Sequence, residues 1–267
     1  MKKNKSAKPT VYRGNPEIQK APRILVYDIE TFANQAFVWG KYEQNVIAYI
    51  KEWFMMCYSY KWLDEKGTHV VALPDFKGYK KNKEDDKALV KSLWQLFDEA
   101  DIIIAHNGNS FDIKKTNARF IYHGLPPPTP YKTIDTKLVA KRYFNFNSNK
   151  LDDLGNYFGI GRKLDTGGWE LWDACWKGDL KAWKKMKDYN KQDVILLEKV
   201  YHKMLPFMTN HPNLALLNGE KCACPNCGSL NIQKRGFNTS RVSRTQRYQC
   251  QDCSSWHARP ISGGQIR

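Results

Sequence analysis

Polar residues dominate the N-terminal segment, and the first sustained apolar run is Ile24-Leu25-Val26-Tyr27, closed by Ile29. A run of that length, rich in branched aliphatics, predicts a buried strand over residues 23–29. Residues 37–40, 46–50, 53–62 and 69–73 repeat the theme with aromatic and β-branched positions. Such a succession of short strands predicts an antiparallel meander. The period then changes. Ala88, Leu89, Leu93, Leu96 and Phe97 recur at helical spacing, so residues 85–100 are expected to form a helix. Asp-Ile-Ile-Ile-Ala at 101–105 is a short buried strand, His106-Asn107-Gly108 a turn, and 111–123 a helix stopped by Gly124. A strand at 131–135 and helices at 151–158, 169–176 and 179–204 complete the pattern, with Gly178 between the last two. Strands followed by alternating helix and strand define a mixed α/β domain.

Composition adds a partner class. The 267 residues carry a net charge of +16 and a pI near 9.4, which favours a polyanion, most commonly nucleic acid. Lys2, Lys3, Lys5 and Lys8, followed by Pro9, read as a disordered basic arm over residues 1–20. No apolar run reaches membrane-spanning length and no signal-peptide core precedes the first strand, so the expected setting is cytoplasmic, with no membrane partner. Seven cysteines, four of them in two Cys-x-x-Cys pairs, point to a metal site in a reducing compartment rather than to disulfides.

Three acidic positions interrupt the apolar pattern. Side chains alternate along a strand, so Asp28 and Glu30 project from one face and Ile29 from the other. Paired carboxylates at a buried strand end repel each other and call for a hard cation such as Mg²⁺ or Mn²⁺. Two harmless acids at a solvated strand end give the same pattern. Asp112 opens a helix straight after a buried strand, where an acid also serves as a cap. Tyr189 and Asp193, four apart, share one face of a helix whose apolar positions are Val194, Leu196, Leu197 and Val200. An exposed acid in a lysine-rich helix is the rival reading there. Trp169, Trp172 and Trp176 also share a helix face, as core more readily than as a base-stacking platform. Lys181, Lys184, Lys185 and Lys187 fit either a phosphate track or a solvated surface.

Asp28-Ile29-Glu30, Asn107-x-x-x-Phe111-Asp112 and Tyr189-x-x-x-Asp193, in that order, resemble the three motifs of the DEDDy 3′–5′ exonucleases. These are DnaQ-like enzymes of ribonuclease-H fold that include polymerase proofreading domains. Thr133-Ile134-Asp135-Thr136, Lys150-Leu151-Asp152-Asp153-Leu154 and Phe158-Gly159-Ile160 extend the resemblance over about residues 23–205. Tyr189, where the sister subclass has histidine, selects the tyrosine subclass, and His106 does not match that histidine. The resemblance implies a mixed sheet flanked by helices and a two-metal site. Asp28, Glu30 and Asp193 would hold one Mg²⁺ or Mn²⁺, and Asp28 with Asp112 a second. Tyr189 would orient the attacking water. Thr31, Asn107 and Phe111 would touch the substrate, and nucleoside 5′-monophosphates would leave.

Composition shifts near Asn218-Gly219 to Cys, Arg, Ser and Gln with few aliphatics. Cys224-x-x-Cys227 and Cys250-x-x-Cys253, about twenty-two residues apart, predict one structural Zn²⁺ that supplies folding energy to a region with almost no core. Cys222 competes with Cys224 for the first position, and the Pro-Asn-Cys-Gly context favours Cys224. The segment resembles the zinc ribbons of transposases and other DNA-binding proteins. Arg241, Arg244 and Arg247 between the pairs are its candidate nucleic-acid contacts, although zinc ribbons also bind proteins.

The expected organisation is therefore a basic arm (1–20), a DEDDy exonuclease domain (21–210) and a zinc ribbon (220–267). The expected substrate is nucleic acid, DNA before RNA and single-stranded 3′ ends first. An exoribonuclease and a catalytically inactive nucleic-acid-binding adaptor are the rivals. The length and the absence of a polymerase region favour a free-standing phage or bacterial enzyme, working with a separate polymerase or recombination protein as a possible partner.

Overall fold

A computed structural model describes residues 21–42, 45–63 and 65–261. The basic arm expected at 1–20 lies outside the described residues. In chain order the elements begin with β1 (Ile24–Thr31), β2 (Gln35–Phe37), β3 (Ala48–Lys51), β4 (Met55–Trp62) and β5 (His69–Ala72). Next come α1 (Lys87–Glu99), β6 (Ile102–Ala105), α2 (Asp112–Tyr122), β7 (Lys132–Asp135) and α3 (Thr136–Tyr143). Then follow α4 (Leu151–Tyr157), α5 (Trp169–Lys177), α6 (Leu180–Met204), α7 (Leu214–Leu217), β8 (Ile232–Thr239), β9 (Arg244–Cys250) and β10 (Trp256–Pro260).

The central sheet has the order β5-β4-β1-β6-β7. β1 pairs antiparallel with β4, β4 antiparallel with β5, β1 parallel with β6, and β6 parallel with β7. Helices flank this mixed sheet, an α/β arrangement of the ribonuclease-H-like kind. The alternation along β1 divides the core. Leu25, Tyr27 and Ile29 join α1, Phe120 of α2, α5 and the start of α6 on one face. Ile24 and Val26 join α3, α4 and the rest of α6 on the other.

The expected meander forms only in part. β2 and β3 pair with each other as a separate two-stranded ribbon and do not enter the central sheet. Phe37, Ile47, Tyr49 and Ile50 are exposed there, so apolar content was the wrong guide to sheet membership. The helix α3 was not expected. Its start is set by Asp135, whose carboxylate accepts the backbone N–H groups of Lys137 and Leu138, a cap invisible to hydrophobic periodicity. In α1, Ala88 is exposed and Val90 takes the buried place assigned to it.

Two glycines permit close approach. A Cβ on Gly155 of α4 would stand 2.5 Å from the Gly161 carbonyl oxygen and 2.7 Å from Leu196 Cδ1 of α6. A Cβ on Gly108 would stand 2.4 Å from the Ala105 Cβ, in the turn that carries Asp112. The residue before it, Asn107, has φ +65.

The C-terminal strands form a second sheet, β10-β9-β8, antiparallel throughout. Its knuckles seat on the main body. Asn226 Nδ2 donates to the carbonyls of Leu205 (3.1 Å) and Met208 (2.9 Å). Among the described residues no helix is long and apolar enough to cross a membrane.

Candidate active site

Asp28 and Glu30 leave β1 on the face that carries Ile24 and Val26, so both meet α6 rather than α1. α6 is amphipathic over 25 residues and lays Val194, Leu197 and Val200 on that face, which carries Asp193 into contact with β1. Oxygen atoms of Asp28, Glu30 and Asp193 lie within 4.8 Å of one another. Asp193 is fully buried, and its Oδ1 has no hydrogen-bond partner among the described residues. Asp112 stands outside this trio, on the adjoining side of Asp28. Its Oδ1 accepts the Ile29 backbone N–H at 3.4 Å, and its charge acts on Asp28.

Burial and mutual repulsion set the electrostatics of these carboxyls. Burial, then Asp112, Glu30 and Asp193, hold the Asp28 carboxyl well above its usual range. Burial and Asp193 push Glu30 up to about 8, and burial pushes Asp112 up to about 7. Burial likewise raises Asp193. Burial, then Glu30 and Asp193, raise the Tyr189 phenol, so it stays neutral and able to donate. Buried like charges without counter-ions are costly, and hard divalent cations fit this donor set of carboxylate oxygens, one of them unpartnered.

Neither Lys163 nor Asn190 was expected at the site. Lys163 Nζ donates to Asp193 Oδ2 (2.6 Å) and to the Tyr189 hydroxyl (3.1 Å). Burial alone would lower this ammonium, but Asp193 and Tyr189 outweigh it and hold it above the usual lysine range. Asp152 orients the lysine by accepting its backbone N–H at 2.8 Å, while gripping Arg162 beside it. Lys163 lies in a loop between α4 and α5, with no period to mark it among 43 Lys and Arg. Asn190 is fully buried and donates from Nδ2 to Asp28 Oδ2 at 2.7 Å. It sits three residues before Asp193, hence on the same helix face, and that spacing was the available signal.

Asp135 serves the site indirectly. Besides capping α3 it accepts the backbone N–H groups of Asn107 (2.9 Å) and Asn109 (3.1 Å), so it pins the turn that leads to Asp112. His106 is tied to Thr136 and to the Asn149 carbonyl, and burial lowers it to about 4, leaving it a neutral structural imidazole. Among the expected substrate contacts, Thr31 ends β1, and Phe111 is 40% exposed at the start of α2. The Asn107 side chain accepts from Ser110 Oγ within its own turn. Of the tryptophan stripe, Trp169 and Trp176 pack on Phe32, and only Trp172 meets a site residue, Tyr189, edge-on at 6.2 Å.

At the second centre, Cys224, Cys227, Cys250 and Cys253 bring their sulfurs within 4.8 Å of one another, and exposed Cys222 stays outside. The Cys224–Cys253 and Cys227–Cys250 sulfurs are 3.7 and 3.6 Å apart. Four sulfurs arranged tetrahedrally at the usual Zn–S length of about 2.3 Å would be about 3.8 Å apart, so the donor set fits zinc. The three candidate arginines do not share one surface. Arg241 lies between β8 and β9, Arg244 covers the Phe237 ring at 3.7 Å, and Arg247 alternates to the opposite face of β9.

The mixed sheet and flanking helices are those of a ribonuclease-H-like protein, and the carboxylates that converge from β1 and α6, with Asp112 of α2 alongside, make a candidate metal site. Residues 52–205 match the family model of the RNase_H superfamily, and the chain belongs to that superfamily. The matched span begins beyond β1 and so does not include Asp28 or Glu30. No curated protein matches the sequence. Among solved structures the chain is similar to the family B DNA polymerase from the hyperthermophilic archaeon Pyrobaculum calidifontis, at 14% identity and a TM-score of 0.48. That alignment covers 83% of this chain and 31% of the polymerase, so the chain spans about a third of that protein's length.

Proposed function

We propose that the protein is a metal-dependent 3′–5′ exonuclease of DEDDy type that releases nucleoside 5′-monophosphates from single-stranded 3′ ends, DNA before RNA. The observation that carries this reading is the convergence of Asp28, Glu30 and Asp193 beside Asp112, with the Tyr189 hydroxyl at the same spot. Asp28, Glu30 and Asp193 would hold one divalent ion, and Asp28 with Asp112 a second; when bound, such ions lower the pKa of water and offset charge on the departing 3′ oxygen. The protein's own groups do the rest. The neutral Tyr189 phenol orients the attacking water by hydrogen bond. Lys163, already beside Asp193, offers a cation on the side where phosphate charge arrives. Trp172 of α5 packs edge-on against the Tyr189 ring and helps to hold it in place.

The same reading divides the chain into a basic arm (1–20), an exonuclease domain (21–210) and a zinc ribbon (220–267) that binds nucleic acid. Zinc at the four cysteines would supply folding energy to the ribbon. The test is Asp28→Ala and Asp193→Ala assayed with Mg²⁺ or Mn²⁺ on labelled oligonucleotides. Both should abolish degradation while the far-ultraviolet circular dichroism stays native. Near-normal rates in either pure variant would remove the two-metal assignment.

A further inference from the structure

The C-terminal sheet has two unlike faces. On one, Tyr248 stacks on His257 across the β9–β10 ladder, with centroids 5.4 Å apart and planes at 12°. Arg259 lies over the Tyr248 ring at 4.8 Å and donates to the Ala223 carbonyl at 2.8 Å. All three side chains are half-buried, so this face is turned inward onto the first knuckle. The other face is open. Trp256, 53% exposed, registers with Gln249, which registers in turn with Gln233. One step along, exposed Arg247 pairs with Ala258 and reaches back to the bulge at Gly236. Between Lys221 and Arg259 the chain carries seven basic side chains against a single acid, Asp252. Asp252 is already engaged, accepting from Ser229 Oγ and Asn231 Nδ2. The open face therefore combines an uncovered indole, amide side chains and the Arg247 guanidinium, within a segment of net positive charge.

We propose that this open face, centred on Trp256 and Arg247, is a second nucleic-acid site that takes single-stranded substrate by stacking one unpaired base on the indole and holding the neighbouring phosphate at Arg247. The proposal rests on the nucleic-acid reading given above and extends it with a strand class and a location. Charge complementarity selects the polyanion, and a flat indole offers stacking only to a base freed from its pair. The location follows from the helix and strand that join the two centres. β1 and α6 run in opposite directions, with Asp28, Glu30 and Asp193 towards one end. Ile24 and Leu205, at the other end, line a cavity of about 430 Å³ shared with Cys227 and Cys253. Twelve helical residues separate Asp193 from Leu205, about 18 Å at 1.5 Å per residue. A single strand must therefore extend at least this far along α6 to engage both sites at once.

The experiment uses the full chain carrying Asp28→Ala, so that substrate is not consumed, and reads fluorescence anisotropy of 5′-labelled dT30, rU30, dT4 and a 30-base-pair duplex. Adding Trp256→Ala should weaken dT30 about tenfold, within the range of base–aromatic stacking, while Trp256→Phe retains most of the affinity. Arg247→Ala should flatten the dependence of log affinity on log salt by about 0.7. The duplex affinity should not follow Trp256, and dT4, too short to occupy both sites, should bind far more weakly than dT30. A matching loss for rU30 would make the site one for single strands of either sugar, and a loss for dT30 only would assign it to DNA. Zinc content measured on each variant checks that the ribbon stays folded; if Trp256→Ala loses zinc, the Trp256→Phe and Arg247→Ala results decide. Unchanged dT30 affinity in a zinc-replete Trp256→Ala protein, or an equal dependence of the duplex on Trp256, overturns the proposal. Trp256-dependent binding in a protein whose parent hydrolyses nothing would keep this site and sink the exonuclease reading.

Discussion

Glu30 shows how the site is balanced. Its carboxyl is raised from 4.5 to about 8 by burial and by Asp193, and Asp112 from 3.8 to about 7 by burial. An acid whose folded pKa is raised favours the fold while protonated. That contribution is complete below the unfolded pKa and is lost as pH climbs through the folded one. Protein free of added divalent ions should therefore lose thermal stability from about pH 5 to about pH 8 by this route and level off above. Mn²⁺ should restore more at pH 8.5 than at pH 6, since the ligands must be deprotonated to bind it. Glu30→Gln should flatten the pH dependence of the melting temperature in divalent-free buffer. An identical slope in the variant would mean that Glu30 is not held neutral in the empty site. Lys163 belongs to the same balance, since its ammonium already neutralises Asp193.

At the scale of elements, the packing of α4 on α6 sets where Asp193 points. Gly155→Ala must push Gly161 or Leu196 aside, and overpacking of this kind typically costs about 1–3 kcal/mol. The denaturation midpoint should fall by that free energy divided by an unchanged denaturant slope; an unaltered midpoint would show that the α4–α6 crossing has slack. Elements with a strong period were legible in the sequence. The α6 pattern Val194, Leu197 and Val200 and the Ile-Ile-Ile run of β6 appear where expected. So do the acidic positions, because strand alternation and helical spacing fix their facing. What escaped depends on partners distant in sequence. α3 is begun by a cap, and the β2–β3 ribbon carries strand-like residues without a buried face. Lys163 is placed by Asp152 and finds Asp193 thirty residues later.

For the molecule as a whole, the C-terminal region with the four cysteines is seated on the main body rather than tethered to it. Cys227 and Cys253 pack against the core cluster that contains Val194 and Leu205, and Asn226 is hydrogen-bonded to the end of α6. Ending the chain near Asn218 should thus leave a folded, metal-dependent nuclease with a lower melting temperature, because apolar surface near Leu205 becomes exposed. Intact protein should contain about one tightly held zinc and the truncated form none. Affinity for long strands should fall on truncation and its salt dependence should flatten by roughly 0.7–0.9 per lost phosphate contact. Zinc-replete protein with the same affinity and salt slope as the truncated form would make the ribbon a protein-binding module. The cysteine pairing was legible because two Cys-x-x-Cys knuckles are a local pattern. The split of Arg244 and Arg247 between opposite faces was not, since no strand was expected over these residues; within β9 their three-residue spacing dictates it.

The central claim is hydrolysis from the 3′ end by a carboxylate-held metal centre. The most direct measurement follows a 5′-labelled single-stranded DNA, incubated with purified protein and Mg²⁺ or Mn²⁺, on a sequencing gel beside a 3′-labelled copy. Stepwise shortening of the 5′-labelled strand, with immediate loss of the 3′ label as mononucleotide and slower attack on a 3′-phosphate end, is the expected result. Release of the 5′ label first, internal cuts, or no hydrolysis with either ion would contradict the account.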